Sequence, residues 1–208
     1  MFYRIGNLVI RSPHSIRRPK DGEDCLVLKA FRSFPPAHLS TKAALTILQR
    51  LEVKKDARIL DIGCGSGILG LAAALKSGGT ALGCDICMGS IRASKQSSAL
   101  NLMEDRFKFF HGSVDAISAK FNLILANLQA STHMEMFDHY HRLLTVKGDL
   151  LVVSGFDDTH AAFIEKELIK RGFVVVEQVK MYGTTAALVP ESSYIWVGFG
   201  LKRVSSDQ

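Results

Sequence analysis

The chain has little cysteine, no long apolar run and no internal repeat, and each shortage excludes something. Four cysteines, Cys25, Cys64, Cys84 and Cys87, are too few and too scattered among 208 residues for a disulfide framework. A reducing cytoplasm is the expected setting. No stretch approaches the length of a membrane span, and the longest apolar segments read as buried strands. The opening residues Met1-Phe2-Tyr3-Arg4-Ile5-Gly6-Asn7 do not have the pattern of a signal peptide. Cys84-Asp85-Ile86-Cys87 contains C-x-x-C, but a zinc site wants a second pair, which Cys25 and Cys64 do not form. A redox motif would open a helix, whereas this one straddles the end of an apolar run. His133 and His139 fall off one helical face, so with His141 they make no ligand set, and no metal is expected.

Charge is present but lopsided. The net charge is +6. Residues 1–55 carry eleven Lys and Arg against four acids, a net +7, and residues 56–208 carry fifteen against sixteen, a net −1. Arg11, Arg17, Arg18 and Lys20 cluster around Pro13 and Pro19. This reads either as a docking surface for an acidic partner such as RNA or as a solvated basic loop, with neither interleaved aromatics nor a known RNA-binding motif to decide. Phe107, Phe109 and Phe110 read as strand core. The expected organisation is one compact domain, with a basic extension over residues 1–55 and a core over residues 56–208.

The strongest signal is Asp61-Ile62-Gly63-Cys64-Gly65-Ser66-Gly67, with Asp85 further on. Residues 58–62 are a short apolar run ending in an acid, and Ile68, Leu69, Leu71, Ala72 and Leu75 fall at helical spacing. Strand, tight turn and helix follow. Glycines let the backbone pass close under a ligand, and the turn aims the amides of a helix start at it. Asp85 ends the next apolar run, where a carboxylate can take both hydroxyls of a ribose. The pattern points to an adenosine-containing cofactor. Gly65-Ser66-Gly67-Ile68-Leu69-Gly70 also matches the dinucleotide fingerprint, so NAD and an oxidoreductase stay open. Asp61 favours S-adenosylmethionine: a carboxylate there can hold the cationic amino group of a methionine tail but sits poorly beside a pyrophosphate.

Along the chain, residues 2–11 alternate as a strand or hairpin arm, 12–24 read as a loop and 25–30 as a short strand. Ser40 is the expected N-cap of a helix to residue 51. Strands are expected over residues 58–62, 80–84, 107–111, 121–126 and 149–154, and helices over 68–76, 89–100, 133–144 and 159–170. That alternation predicts an α/β fold with a mostly parallel sheet and helices on both faces. Residues 173–181 and 194–202 have no helix between them, only a loop over 184–193, so they should pair antiparallel. A parallel sheet ending in such a hairpin is the class I methyltransferase pattern: a seven-stranded Rossmann-like sheet whose last strand inserts beside the fifth.

Four stretches between residues 26 and 202 resemble the PrmA family, methyltransferases that modify a ribosomal protein of the large-subunit stalk base. Ala30-Phe31 followed by His38-Leu39-Ser40-Thr41 is similar to the family's A-F-G-T-G-T-H-P-T-T. Ile59-Leu60-Asp61-Ile62-Gly63-Cys64-Gly65-Ser66-Gly67-Ile68-Leu69 is similar to its glycine motif, and Gly83-Cys84-Asp85-Ile86 to its G-x-D-I strand end. Leu125-Ala126-Asn127-Leu128-Gln129-Ala130 resembles the more family-specific A-N-I-L-A. The departure is Pro35-Pro36-Ala37-His38, which replaces the flexible T-G-T-H of a loop that closes over the cofactor in the family. Family members also carry a longer N-terminal domain that grips the ribosomal protein, whereas a short segment precedes the matching region here.

The resemblance implies an S-adenosylmethionine-dependent methyltransferase acting on an amine of a protein substrate, a ribosomal one in the family. Asp61, Gly63, Cys64, Gly65, Gly67, Asp85 and Ile86 are the expected cofactor-binding residues, with Ser113 or Asp115 on the adenine amine, Asn127 at the strand end and His38 from the N-terminal loop. Asn127 and the Leu128 carbonyl are the expected acceptors for the hydrogens of the target amine. A cofactor-binding protein with little catalysis and an RNA methyltransferase are the remaining alternatives.

Overall fold

The computed structural model describes residues 1–29, 36–183 and 194–204. Ala30, Phe31, Pro35 and the loop expected over residues 184–193 lie outside the described residues. The N-terminal arm is a hairpin, β1 (Phe2–Ile5) and β2 (Leu8–Arg11), paired antiparallel around Gly6. β3 (Asp24–Val27) runs parallel to β2 and completes a three-stranded sheet. Helix α1 (Leu39–Arg50) follows, but its cap is not Ser40. His38 takes that place: its Nδ1 accepts from the Ser40 amide at 3.3 Å, so an imidazole nitrogen supplies the acceptor expected of a hydroxyl.

The main sheet is built from β4 (Arg58–Ile62), β5 (Thr80–Asp85), β6 (Phe107–His111), β7 (Leu123–Asn127), β8 (Leu150–Asp157), β9 (Phe173–Gly183) and β10 (Tyr194–Arg203). Their spatial order is β6-β5-β4-β7-β8-β10-β9. The first five are parallel, and β10 lies antiparallel between β8 and β9. The expected seven-stranded fold and its inserted last strand are therefore present. β7 starts two residues later than expected. The Asn122 side chain accepts from the Arg58 amide and donates to Asp149, and Phe121 makes only a single bridge to Leu144.

Strand alternation sends successive side chains to opposite faces. Ile59, Leu123, Leu125 and Val152 face one side and meet α1 and α2 (Ile68–Ser77). Leu60, Ile124, Leu151 and Val153 face the other and meet α4 (Ala130–Leu143) and α5 (Asp158–Lys170). α3 (Met88–Leu100) packs beside β5 and β6. The chain order reverses direction at β4 and β7, and the carboxyl ends of these strands with that of β5 open a crevice of the kind that binds ligands in such sheets. Among the described residues, no helix is long and apolar enough to cross a membrane.

Candidate functional site

A cavity of about 550 Å³ occupies that crevice. It is floored by the glycine turn between β4 and α2 and walled by Asp85, Ile86, Ser113, Asn127 and Leu128. Pro36 and Thr41 close it from the α1 side, and Thr132, Glu135 and Met136 line it from α4. Its volume suits a small-molecule ligand.

The floor depends on close approach. Gly63 has φ +65°, and a Cβ there would come within 2.5 Å of the Leu128 side chain. Two apolar-site elements, the β4 turn and the β7 turn, thus meet where only a glycine fits. Five amides of the turn and of the start of α2 are engaged within the protein. Gly63 and Cys64 donate to the Cys84 carbonyl at 2.9 and 3.1 Å, and Gly67 donates to the Cys64 carbonyl at 2.7 Å. Gly65 donates to Asp85 Oδ2 at 3.1 Å and Gly70 to Asp61 Oδ2 at 2.9 Å. These five are used inside the protein, which leaves Ser66 and the first two residues of α2, Ile68 and Leu69, as the other part of the turn and helix start that lines the cavity.

The two strand-end acids differ. Asp61 is 1% exposed, and burial pushes its carboxyl up to about 8, with the Gly70 bond opposing the shift and the neighbouring Asp85 charge adding to it. Asp85 is half-buried and accepts from the Gly65 and Cys87 amides, which fixes its carboxylate at the end of β5. Among the described residues, no Lys or Arg lines the cavity. Its acidic lining side chains are Asp61, Asp85 and Glu135.

Asn127 sits inside a hydrogen-bonded chain that the sequence did not show. Its Nδ2 donates to Thr41 Oγ1 at 3.1 Å, and its Oδ1 accepts from Ser154 Oγ at 3.1 Å. The Ser154 carbonyl accepts from the Leu128 amide at 2.9 Å and lies 2.9 Å from His133 Nε2. Since a carbonyl only accepts, Nε2 carries the proton, and Nδ1 accepts from the Tyr140 hydroxyl at 2.7 Å. Burial holds the His133 imidazole neutral, its pKa lowered to about 4. Gly155 belongs to the same support: at φ +100° it lies so close to the Leu128 backbone that a Cβ would reach its carbonyl oxygen at 2.2 Å. His133 stands at a core position of α4, and its spacing alone marks it only as buried.

The remaining expected residues divide. Asp61, Gly63, Cys64, Gly65, Asp85, Ile86, Ser113, Asn127 and Leu128 all line the one cavity. Gly67 does not. It lies beneath the turn, where a Cβ would press on Ser94 and Phe107 at 3.1 Å. His38 does not line it either. It caps α1 and meets Trp196 edge-on with ring centroids 4.6 Å apart. Of the Ser113 and Asp115 alternatives, Ser113 faces the cavity while Asp115 turns to His139 at 3.1 Å. The Cys64 and Cys84 thiols are pushed up by burial, and Cys64 accepts a bond from Ser94. Among the described residues, no group of three or more His, Cys, Asp or Glu is placed to hold a metal.

Comparison with known proteins gives a consistent answer. Residues 4–187 match the family model described as Ribosomal protein L11 methyltransferase (PrmA). The ribosomal protein L11 methyltransferase of Helicobacter pylori (strain HPAG1) is 29% identical over 161 residues, covering 75% of this chain and 47% of that protein. The corresponding protein of Lactobacillus helveticus (strain DPC 4571) is 33% identical over 138 residues, covering 66% of this chain and 44% of that protein. The chain thus spans about half the length of the curated relatives it matches. The crystal structure of ribosomal protein L11 methylase from Lactobacillus delbrueckii subsp. bulgaricus superposes with a TM-score of 0.78 at 25% identity, covering 95% of this chain and 94% of that one. An RNA methyltransferase from Salinibacter ruber, solved with S-adenosyl-L-homocysteine, shares the fold at a TM-score of 0.59 and 13% identity, covering 79% of this chain and 92% of that one.

Proposed function

The chain belongs to the PrmA family, and from that premise we propose that it is a methyltransferase that uses S-adenosylmethionine to methylate an amine of a protein. The carrying observation is the chemistry of the cavity: Asp61, Asp85 and Glu135 line it, no Lys or Arg does among the described residues, and five amides of the glycine turn and the start of α2 are already engaged. A pyrophosphate asks for donors and cations, and a dinucleotide would find acids instead. A cationic sulfonium with an ammonium tail finds carboxyl groups, and Asp61 gives up its proton as the ammonium arrives.

In this reading Asp85 takes the ribose hydroxyls on the lone pairs left free by the Gly65 and Cys87 amides. Asp61 holds the ammonium, Ile86 covers the adenine face, and the Ser113 hydroxyl meets the adenine amine. When bound, S-adenosylmethionine supplies a methyl carbon already activated by its sulfonium. The protein then has to align an amine with that carbon and let it lose its proton. A lysine amine has an ordinary pKa near 10.4, so it arrives charged. Asn127 Oδ1 and the Leu128 carbonyl are acceptors for the amine hydrogens, and the chain from Thr41 through Ser154 to His133 and Tyr140 holds both in place. The family name makes ribosomal protein L11 the first acceptor to try. A direct contact with RNA through Arg17, Arg18 and Lys20 belongs to the same reading, supported by the basic first quarter of the chain, and salt-sensitive RNA binding would mark it.

Calorimetric titration with S-adenosylmethionine and separately with NAD tests the cofactor, with Asp85→Ala as control. Binding of S-adenosylmethionine alone, weakened about tenfold or more in the variant, is expected. Binding of NAD alone overturns the reading. Methyl incorporation into purified ribosomal protein L11 tests the acceptor, and binding without incorporation into it or any other protein would mark a cofactor-binding protein that has lost catalysis.

A further inference from the structure

Thr132, Glu135 and Met136 fall at i, i+3 and i+4 on α4, and all three line the cavity, while His133, Phe137 and Tyr140 face the core. α4 therefore presents one stripe to the ligand space: a hydroxyl, a carboxylate and an apolar side chain. The three cavity carboxyls are not equivalent. Asp61 is tied to the Gly70 amide and Asp85 to the Gly65 and Cys87 amides. Glu135 is solvent-exposed at the mouth, and no hydrogen bond or ion pair reaches it among the described residues. Its helix starts three residues after Asn127, and the stripe shares the cavity with the Asn127 and Leu128 acceptors.

We propose that Glu135 is a specificity-determining residue that docks the cationic acceptor before it loses its proton, with Met136 packing along the acceptor's aliphatic stem. The proposal rests on the methyltransferase reading and adds to it the residues on α4 that would receive the charged amine and its apolar stem. Glu135 does not take the proton here. The ammonium releases it to solvent as the nitrogen passes to Asn127 Oδ1 and the Leu128 carbonyl. Its charge selects against neutral and anionic acceptors, and Met136 selects for a stem of several methylenes.

The test is a titration of the full chain, saturated with S-adenosylhomocysteine and labelled at the methionine methyls, with n-butylammonium and with n-butanol as the neutral control. The Met136 methyl resonance is expected to shift with n-butylammonium and not with n-butanol. Its apparent affinity should fall roughly fivefold in Glu135→Gln and further in Glu135→Lys. S-adenosylhomocysteine affinity should be unchanged in Glu135→Gln. An equal response in wild type and Glu135→Gln, or no response in wild type, overturns the docking role. A matching loss of S-adenosylhomocysteine affinity also overturns it, by assigning Glu135 to the cofactor. If wild type fails to bind S-adenosylhomocysteine, the cofactor reading fails instead, and the same titration on the free protein still decides whether Glu135 docks an alkylammonium.

Discussion

Asp61 is nearly inaccessible, yet one of its oxygens holds the Gly70 amide in the first turn of α2, and its carboxyl lines the ligand cavity. Its proton affinity links binding to stability. The folded protein keeps this carboxyl protonated up to about pH 8, whereas the unfolded chain releases the proton near 3.8. Between those values the folded state binds the extra proton, so the stabilisation from this group is complete below about pH 4 and is lost as pH rises toward 8. Asp61→Asn keeps an oxygen for the Gly70 amide and has nothing to ionise. The melting temperature of the variant minus that of wild type should therefore grow from pH 4 to pH 8, as thermal unfolding across that range would show. A difference that is flat or falling contradicts the argument. The same variant should bind S-adenosylmethionine about tenfold or more weakly, because a charge-assisted bond to the ammonium is gone. Wild type should release a proton on binding at pH 7, visible as a heat that changes with the buffer's ionisation enthalpy.

At the scale of elements, α1 links the N-terminal arm to the site. Its Thr41 holds Asn127, and its Ile47 presses on β10 where Gly198 and Gly200 leave room. A Cβ at Gly200 would come within 2.7 Å of Ile47 and 3.2 Å of Leu51. Gly200→Val should push the helix off the sheet and cost about 1–3 kcal/mol, measured by denaturant unfolding. It should also weaken cofactor binding, since Thr41 moves with the helix. Unchanged stability would mean that α1 has slack that its packing does not show. This coupling bears on what could be read from residue order. The alternation of strand and helix, the inserted β10 and the cavity at Asp61, Asp85 and Asn127 were legible because each leaves a local mark: apolar period, missing helix, acid at a strand end. Ser154, Thr41 and the buried His133 were not, because they join the site through contacts between separate elements, and Glu135 was not, because nothing local sets a cavity-facing position of α4 apart from an exposed one. The cap of α1 was misplaced for a related reason. Ser40 has the better intrinsic cap side chain, and His38 caps only because the chain entering from Pro36 puts its ring over the Ser40 amide. Gly67 reads as a ligand contact by motif and serves instead to let Ser94 and Phe107 close under the turn.

At the scale of the whole molecule, the basic N-terminal segment shares its packing with the parallel sheet. Leu8, Ile10, Leu26 and Leu28 are at most 1% exposed and belong to the same apolar cluster as Leu45, Leu71 and Leu123. Polar ties reinforce this. The Asn101 side chain accepts from the Val27 amide and donates to its carbonyl, at 2.8 Å each, and the Tyr3 hydroxyl donates to the Pro36 carbonyl at 2.6 Å. Four fully buried aliphatic side chains contribute on the order of 6–12 kcal/mol of burial. The net stability of a domain is only about 5–15 kcal/mol. Deleting residues 1–29 should therefore leave a chain that does not fold, seen as loss of the cooperative thermal transition and of far-UV circular dichroism. A milder cut, Tyr3→Phe, should spare the core and remove only the bond to Pro36, which lines the cavity. Its expected effect is a cofactor affinity a few fold weaker with the melting temperature lowered only slightly, since one net hydrogen bond is worth about 1 kcal/mol. If the deletion instead melts cooperatively and binds S-adenosylmethionine as wild type does, the N-terminal sheet is an attachment, and the site depends on the main sheet alone.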